Sequence, residues 1–171
     1  MDTDKIKNKR RVKDMKVVIG CDFSAIEFKN QIISYLQQQN YEVLDVGQKE
    51  GEEQLIYPEA AKRVARKIQN QEAEKGIILC GTGGGVSIAV NKFKGVYCVA
   101  SESIFTAFKM SQINGANVLA MGKNVVGEQN AYEIVRNFLA TPFCCDFTPE
   151  RTEFITGLRA RMVEIEEENM K

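Results

Sequence analysis

The stretch Gly76-Ile77-Ile78-Leu79-Cys80-Gly81-Thr82-Gly83-Gly84-Gly85-Val86 decides how this chain is read. Its apolar start, Ile77 to Leu79, predicts a buried strand that ends on Cys80. A glycine-rich turn follows, and a helix is expected over 86–93. Such a junction places a thiol and a row of bare backbone N–H groups at the carboxyl end of a strand. Aligned peptide dipoles and unpaired N–H groups favour negative charge there. The chain contains no histidine, so any acid–base chemistry must run without imidazole.

Outward from this segment, strands are expected over 16–20, 41–46, 76–79, 96–100 and 118–121. Helices are expected over 27–39, 58–70, 86–93, 104–113 and 128–139. Pro58 suits a first helical turn because its ring fixes φ. Thr148-Pro149 supplies a cap and a first-turn proline for a last helix. Most strands read as solid apolar runs, which argues for a five-stranded parallel sheet with helices on both faces, a doubly wound, Rossmann-like α/β domain. Ligands of such sheets bind outside the carboxyl ends of the strands. The loops that matter are then Cys21-Asp22-Phe23-Ser24, the turn around Tyr57, Cys80 to Gly85, and Ser101-Glu102-Ser103. The last helix carries Phe154, Ile155, Leu158, Met162 and Ile165 along one stripe, and no strand follows it. That stripe can pack on its own domain or on a partner subunit, and the partner is the favoured reading.

At 171 residues the chain suits one domain with a proper core. Apolar content of 44%, charged content of 27% and zero formal net charge give no global field toward nucleic acid or an anionic membrane. Residues 1–16 hold seven Lys/Arg against three Asp/Glu, read as a flexible basic arm. No apolar run is long enough to span a bilayer, and no signal-peptide core is present. The five cysteines show neither disulfide-framework density nor zinc-site spacing. The expectation is a reduced, cytoplasmic protein without nucleic-acid or membrane partners.

The glycine loop fits none of the common phosphate signatures. No Gly-Lys-Ser/Thr follows at P-loop spacing, and Gly20-Cys21-Asp22-Phe23 lacks the glycines of a dinucleotide fingerprint. A cysteine phosphatase would close the loop with arginine, where this chain has Val86. A plain tight turn is the competing reading, although it would not require cysteine, threonine and three successive glycines together.

Several segments fall in one order: Gly20-Cys21-Asp22, Tyr57-Pro58, Cys80-Gly81-Thr82-Gly83-Gly84-Gly85, Ala89-Val90-Asn91-Lys92, Phe105-Thr106-Ala107 and Asn114-Gly115-Ala116-Asn117-Val118-Leu119-Ala120-Met121-Gly122. Over about 16–139 this order resembles the type B ribose-5-phosphate isomerases and the related galactose-6-phosphate isomerase subunits. The resemblance implies an aldose–ketose isomerase of a phosphorylated sugar, working through a cis-enediolate. It implies homodimers or homotetramers with active sites shared between subunits, no cofactor and no metal. It divides the chain into the arm at 1–15, an isomerase domain at 16–147 and a C-terminal helix at 148–171.

By that resemblance Cys80 is the base, as thiolate, with the Thr82 hydroxyl on its sulfur. The N–H groups of Gly81, Gly83, Gly84 and Gly85 form the enediolate hole. Asp22 bonds sugar hydroxyls or assists ring opening, Tyr57 lines the pocket and Asn114 donates to the oxyanion. The chain departs from the family pattern at Phe23, where histidine is usual, and at Glu102, a carboxyl in place of a ring-opening histidine. The phosphate slot after Met121-Gly122 holds Asn124, with Lys123 beside it, and the cationic tail is reduced to Arg151, Arg159 and Arg161. Two readings therefore stand: an active isomerase with altered substrate choice, or a non-catalytic sugar-phosphate-binding subunit of a heteromer.

Overall fold

The computed structural model describes residues 15–170. The basic arm expected at 1–15 therefore lies, apart from Met15, outside the described residues. The strands are β1 (Lys16–Cys21), β2 (Glu42–Asp45), β3 (Lys75–Cys80), β4 (Cys98–Ala100) and β5 (Val118–Gly122). The helices are α1 (Ile26–Gln38), α2 (Tyr57–Gln69), α3 (Gly84–Val90), α4 (Ile104–Gln112), α5 (Glu128–Ala140) and α6 (Pro149–Asn169). All strands run parallel in the order β2-β1-β3-β5-β4. Strand order reverses between β1 and β3, so the crevice at their carboxyl ends is where such a sheet takes a ligand.

The apolar runs of β1, β3 and β5 are buried on both sides, as a doubly wound sheet requires. Alternate residues divide between two cores. Ile77, Leu79, Leu119 and Met121 pack with α1, α4 and α5, through residues such as Ile32, Met110 and Phe138. Ile78, Cys80, Val118 and Ala120 pack with α2 and α3, through Val64 and Val86. Cys80 thus belongs to the α2–α3 face.

Most boundaries fall within one residue of expectation; those of α3 and the start of β4 differ by two or three. The helix after the glycine loop begins earlier and ends earlier than 86–93. Asn91 caps its end, donating its amide to the carbonyls of Ser87 (3.0 Å) and Cys98 (2.8 Å) and accepting the Cys98 N–H (2.8 Å). β4 starts late because the Val96 N–H turns back to the Phe93 carbonyl and the Tyr97 N–H goes to the Asn117 side chain instead of a ladder.

The last helix starts as expected: the Thr148 hydroxyl accepts the Arg151 N–H (3.3 Å), and Pro149 follows it. Glu166 fastens α6 at the amino-terminal edge of the sheet, accepting from the Tyr97 hydroxyl (3.0 Å) and the Gly95 N–H (2.9 Å). Of the apolar stripe only Ile155 is buried; Phe154, Leu158, Met162 and Ile165 are exposed. Among the described residues no helix is long and apolar enough to cross a membrane.

Candidate functional site

The carboxyl ends of β1, β3 and β5 are tied into one platform. The Asp22 N–H donates to the Leu79 carbonyl (3.2 Å), joining β1 to β3. Beyond β5, the N–H groups of Lys123 and Asn124 donate to the carbonyls of Cys80 and Gly81, each at 3.0 Å. The glycine loop is thus held from both flanks.

Two glycines make that hold possible. Gly83 has φ of +79°, a left-handed conformation that bends the chain out of β3 and into α3. Its backbone lies against β5, so that a Cβ there would meet the Met121 carbonyl carbon at 3.0 Å. Gly122 lies even closer: a Cβ on it would reach the Thr82 Cα at 2.5 Å. The sequence reading placed Gly122 within a motif without seeing this contact, which arises only when β5 pairs with β3.

The bend aims the Gly83 N–H at the Cys80 sulfur, 3.1 Å away. A backbone donor, and not the Thr82 hydroxyl expected from sequence, is the sulfur's hydrogen-bond partner. Thr82 itself faces solvent. Cys80 is 6% exposed, lying at the strand end where the sheet opens. Cys21 and Cys98 are further core thiols. Burial pushes Cys21 up to about 11 and Cys98 up to about 12, keeping both protonated and inert near neutrality.

Around the loop, Asp22 is buried, and its Oδ1 accepts both the N–H (2.9 Å) and the hydroxyl (2.7 Å) of Ser24. That pair fixes the carboxylate and leaves Oδ2 for a ligand. The Tyr57 ring covers Gly85, where a Cβ would meet it at 3.2 Å. Phe23 is exposed, and its N–H donates to the Leu55 carbonyl (3.0 Å). Ser24 and Leu55 were not singled out from sequence; their parts depend on loop closure.

A buried clasp shapes the rim. Lys29, 1% exposed, donates to Asp45 (2.7 Å) and to the Gln48 carbonyl (2.9 Å). The Gln48 amide donates to the carbonyls of Lys49 (2.9 Å) and Glu52 (3.3 Å) and accepts the Leu55 N–H. The acidic loop after β2 is therefore folded onto a polar centre, and through Leu55 it sets the position of Phe23.

Cys80, Thr82, Gly81, Gly83, Gly84, Gly85, Asp22, Phe23, Tyr57 and Lys123 thus share one edge of the sheet. Glu102 follows β4 on the same edge, exposed, with its carbonyl accepting from Asn130 (3.3 Å). Two strand spacings separate β4 from β3, roughly 10 Å. Asn114 and Arg151 are not brought to this edge within the chain. Asn114 precedes β5, whose Val118 pairs with Gly76 while Gly122 pairs with Cys80, so it lies beyond the opposite edge, roughly 13 Å or more away. Its carbonyl accepts from Arg159 (2.9 Å) on α6. Arg151, in the first turn of α6, packs over Phe147 and Phe154.

Comparison with known proteins places the chain in a family. The family model described as Ribose/Galactose Isomerase matches residues 17–155. The chain is similar to the 4-deoxy-4-sulfo-D-erythrose isomerase of a Clostridium species, 39% identical over 153 residues, covering 90% of this chain and 96% of the relative. It is similar to ribose-5-phosphate isomerase B of Escherichia coli, 36% identical over 146 residues, covering 85% and 97%. Among solved structures, ribose-5-phosphate isomerase B of Clostridium thermocellum superposes with a TM-score of 0.81 at 32% identity, covering 90% of this chain and 99% of that one.

Proposed function

We propose that this chain, which belongs to the ribose/galactose isomerase family, interconverts the aldose and ketose forms of a phosphorylated sugar, with ribose-5-phosphate/ribulose-5-phosphate or a 6-phosphohexose as the substrate class. Cys80, as thiolate, takes the proton from C2 of the open-chain aldose. The negative charge moves onto the C1 oxygen, giving a cis-enediolate; a proton passes from the C2 hydroxyl to the C1 oxygen, and the thiol then returns its proton to C1, leaving the ketose with its carbonyl at C2. The observation that carries this reading is the sulfur at the end of β3 with the Gly83 N–H on it, beside the rest of the glycine loop. Backbone donors oriented before the reaction stabilise developing oxyanion charge without reorganising.

Asp22, held through Oδ1, presents Oδ2 to a sugar hydroxyl, the position from which it would assist ring opening. Tyr57 and Phe23 wall the pocket, and Glu102 is the carboxyl available for proton transfer where no imidazole exists. Lys123, whose backbone N–H is held on the Cys80 carbonyl (3.0 Å), is the cation for the phosphate, and its contact is a point charge. Asn114 and Arg151 serve the neighbouring copy: a homodimer or homotetramer that sets the amino-terminal edge of one sheet against the carboxyl edge of another would bring them to a Cys80 loop. The open apolar face of α6 supports such packing.

The test is an isomerase assay over ribose-5-phosphate, allose-6-phosphate, galactose-6-phosphate and 4-deoxy-4-sulfoerythrose, comparing wild type with Cys80→Ala. Loss of a positioned base typically costs 10²–10⁴-fold. Turnover on one of these sugars, abolished in the variant at unchanged fold, is the expected result. Turnover that survives Cys80→Ala would remove the thiolate from the mechanism.

A further inference from the structure

At the amino-terminal edge of the sheet, opposite the Cys80 loop, a cavity of about 540 Å³ opens between the start of β3, the end of α5 and α6. Leu139, Pro142 and Phe143 make its walls largely apolar. Lys75 and Arg159 both line it. Lys75 Nζ donates to the Ala116 carbonyl (2.6 Å) and lies 4.5 Å from the centre of the Phe138 ring. Arg159 donates to the carbonyls of Asn114 (2.9 Å) and Gly115 (2.6 Å), its guanidinium held over Tyr97 and Phe143.

Neither cation forms an ion pair among the described residues. Glu74 also borders the cavity but pairs with neither. Two positive groups therefore face one hollow with no carboxylate paired to either among the described residues, and a cation withdrawn from water is costly unless paired. The strain is visible in the lysine: burial first, and the Arg159 charge second, push Lys75 down to about 8. An anion between them would relieve both effects. The hollow far exceeds the size of a bare inorganic anion, and its walls suit carbon.

We infer that the Lys75–Arg159 cavity is a second ligand site, one that binds a small organic anion: a phosphate or carboxylate head between the two cations with an apolar body against Leu139, Pro142 and Phe143. Within one subunit it lies at the other end of the strands from Cys80, beside the Asn114–Gly115 turn. Arg159 is also the residue that clasps the Asn114–Gly115 turn, so an occupant would stiffen that turn.

The experiment is an amide-resolved NMR titration of the full chain with phenyl phosphate, and with inorganic phosphate as comparison. Phenyl phosphate is expected to shift the amides of Lys75 and Thr141, which line the cavity away from the Asn114 turn, saturably at pH 7, at least tenfold more tightly than inorganic phosphate. At pH 9 binding should weaken several-fold, because Lys75 has lost its proton. Lys75→Met should weaken binding at least tenfold. Arg159→Gln, at a half-exposed helix position, is the second variant should the first not fold. Shifts confined to Gly81–Gly85, no saturable shift, or variants that bind as tightly as wild type would overturn the site. Equal binding of the two phosphates would overturn the apolar-bodied class of ligand.

Discussion

The Gly83 N–H reaches the Cys80 sulfur because Gly83 itself sits at φ of +79°, with its back against β5. The donor and the bend are one feature. A side chain at Gly83 would strain the left-handed conformation by about 1–2 kcal/mol and press on the Met121 backbone as well. Gly83→Ala should therefore lose at least that much stability in urea denaturation. Its catalytic loss should exceed the stability loss, read as a fall in kcat at temperatures where the variant is folded.

Gln48 offers a test of the rim. Its buried side chain accepts the Leu55 N–H and donates to two loop carbonyls. Gln48→Leu keeps the volume but strands those groups, at about 1–3 kcal/mol for an unsatisfied buried donor. Since Leu55 sets Phe23, KM should rise more than kcat falls, and Gln48→Glu, which retains the acceptor, should recover part of the loss at the Leu55 N–H.

Lys75 predicts a pH signature. Its folded value, lowered to about 8, lies below the ordinary 10.5, so between those limits the unfolded chain binds the extra proton. Stability then rises with pH across that window and is lowest, for this group, below about 8. The full swing is on the order of 3 kcal/mol. Lys75→Met should abolish the rise and stabilise the protein most at neutral pH. Denaturation curves at pH 7 and pH 9.5 suffice, and an identical pH response in both proteins would refute the assignment.

The apolar face of α6 predicts a quaternary effect. Leu158 is 53% exposed and Phe154 is 55% exposed, so a charge at Leu158 should cost the isolated subunit little. If that face lies against a second copy, Leu158→Glu should convert a dimer or tetramer to monomer in sedimentation velocity. Activity should fall with it, because Asn114 and Arg151 leave the neighbouring site. A monomeric wild type would contradict the shared-site arrangement.

Much of the fold was legible because buried parallel strands need unbroken apolar runs, and Val17-Val18-Ile19 and Ile77-Ile78-Leu79 supply them. The Cys80 loop was legible for a similar reason, since residue type and order there are unusual. The Asn91 clamp was not: it couples α3 to β4 through one amide, and no periodicity records that. Gly122 and Gln48 were invisible as functional residues because their contacts join segments distant in sequence or depend on a loop's closed shape. Asn114 was grouped with Cys80 by motif order, which does not report sheet edge. Its place just before a strand, however, already assigns it to the amino-terminal side.

The contact between Gly122 and the Thr82 backbone has a consequence for how such a protein can diversify. With main chain touching main chain, the floor of the pocket has no space for a new side chain, and substitution there would pry the sheet apart. Room to vary remains instead in the exposed side chains at the same sheet edge, among them Phe23, Tyr57 and Glu102.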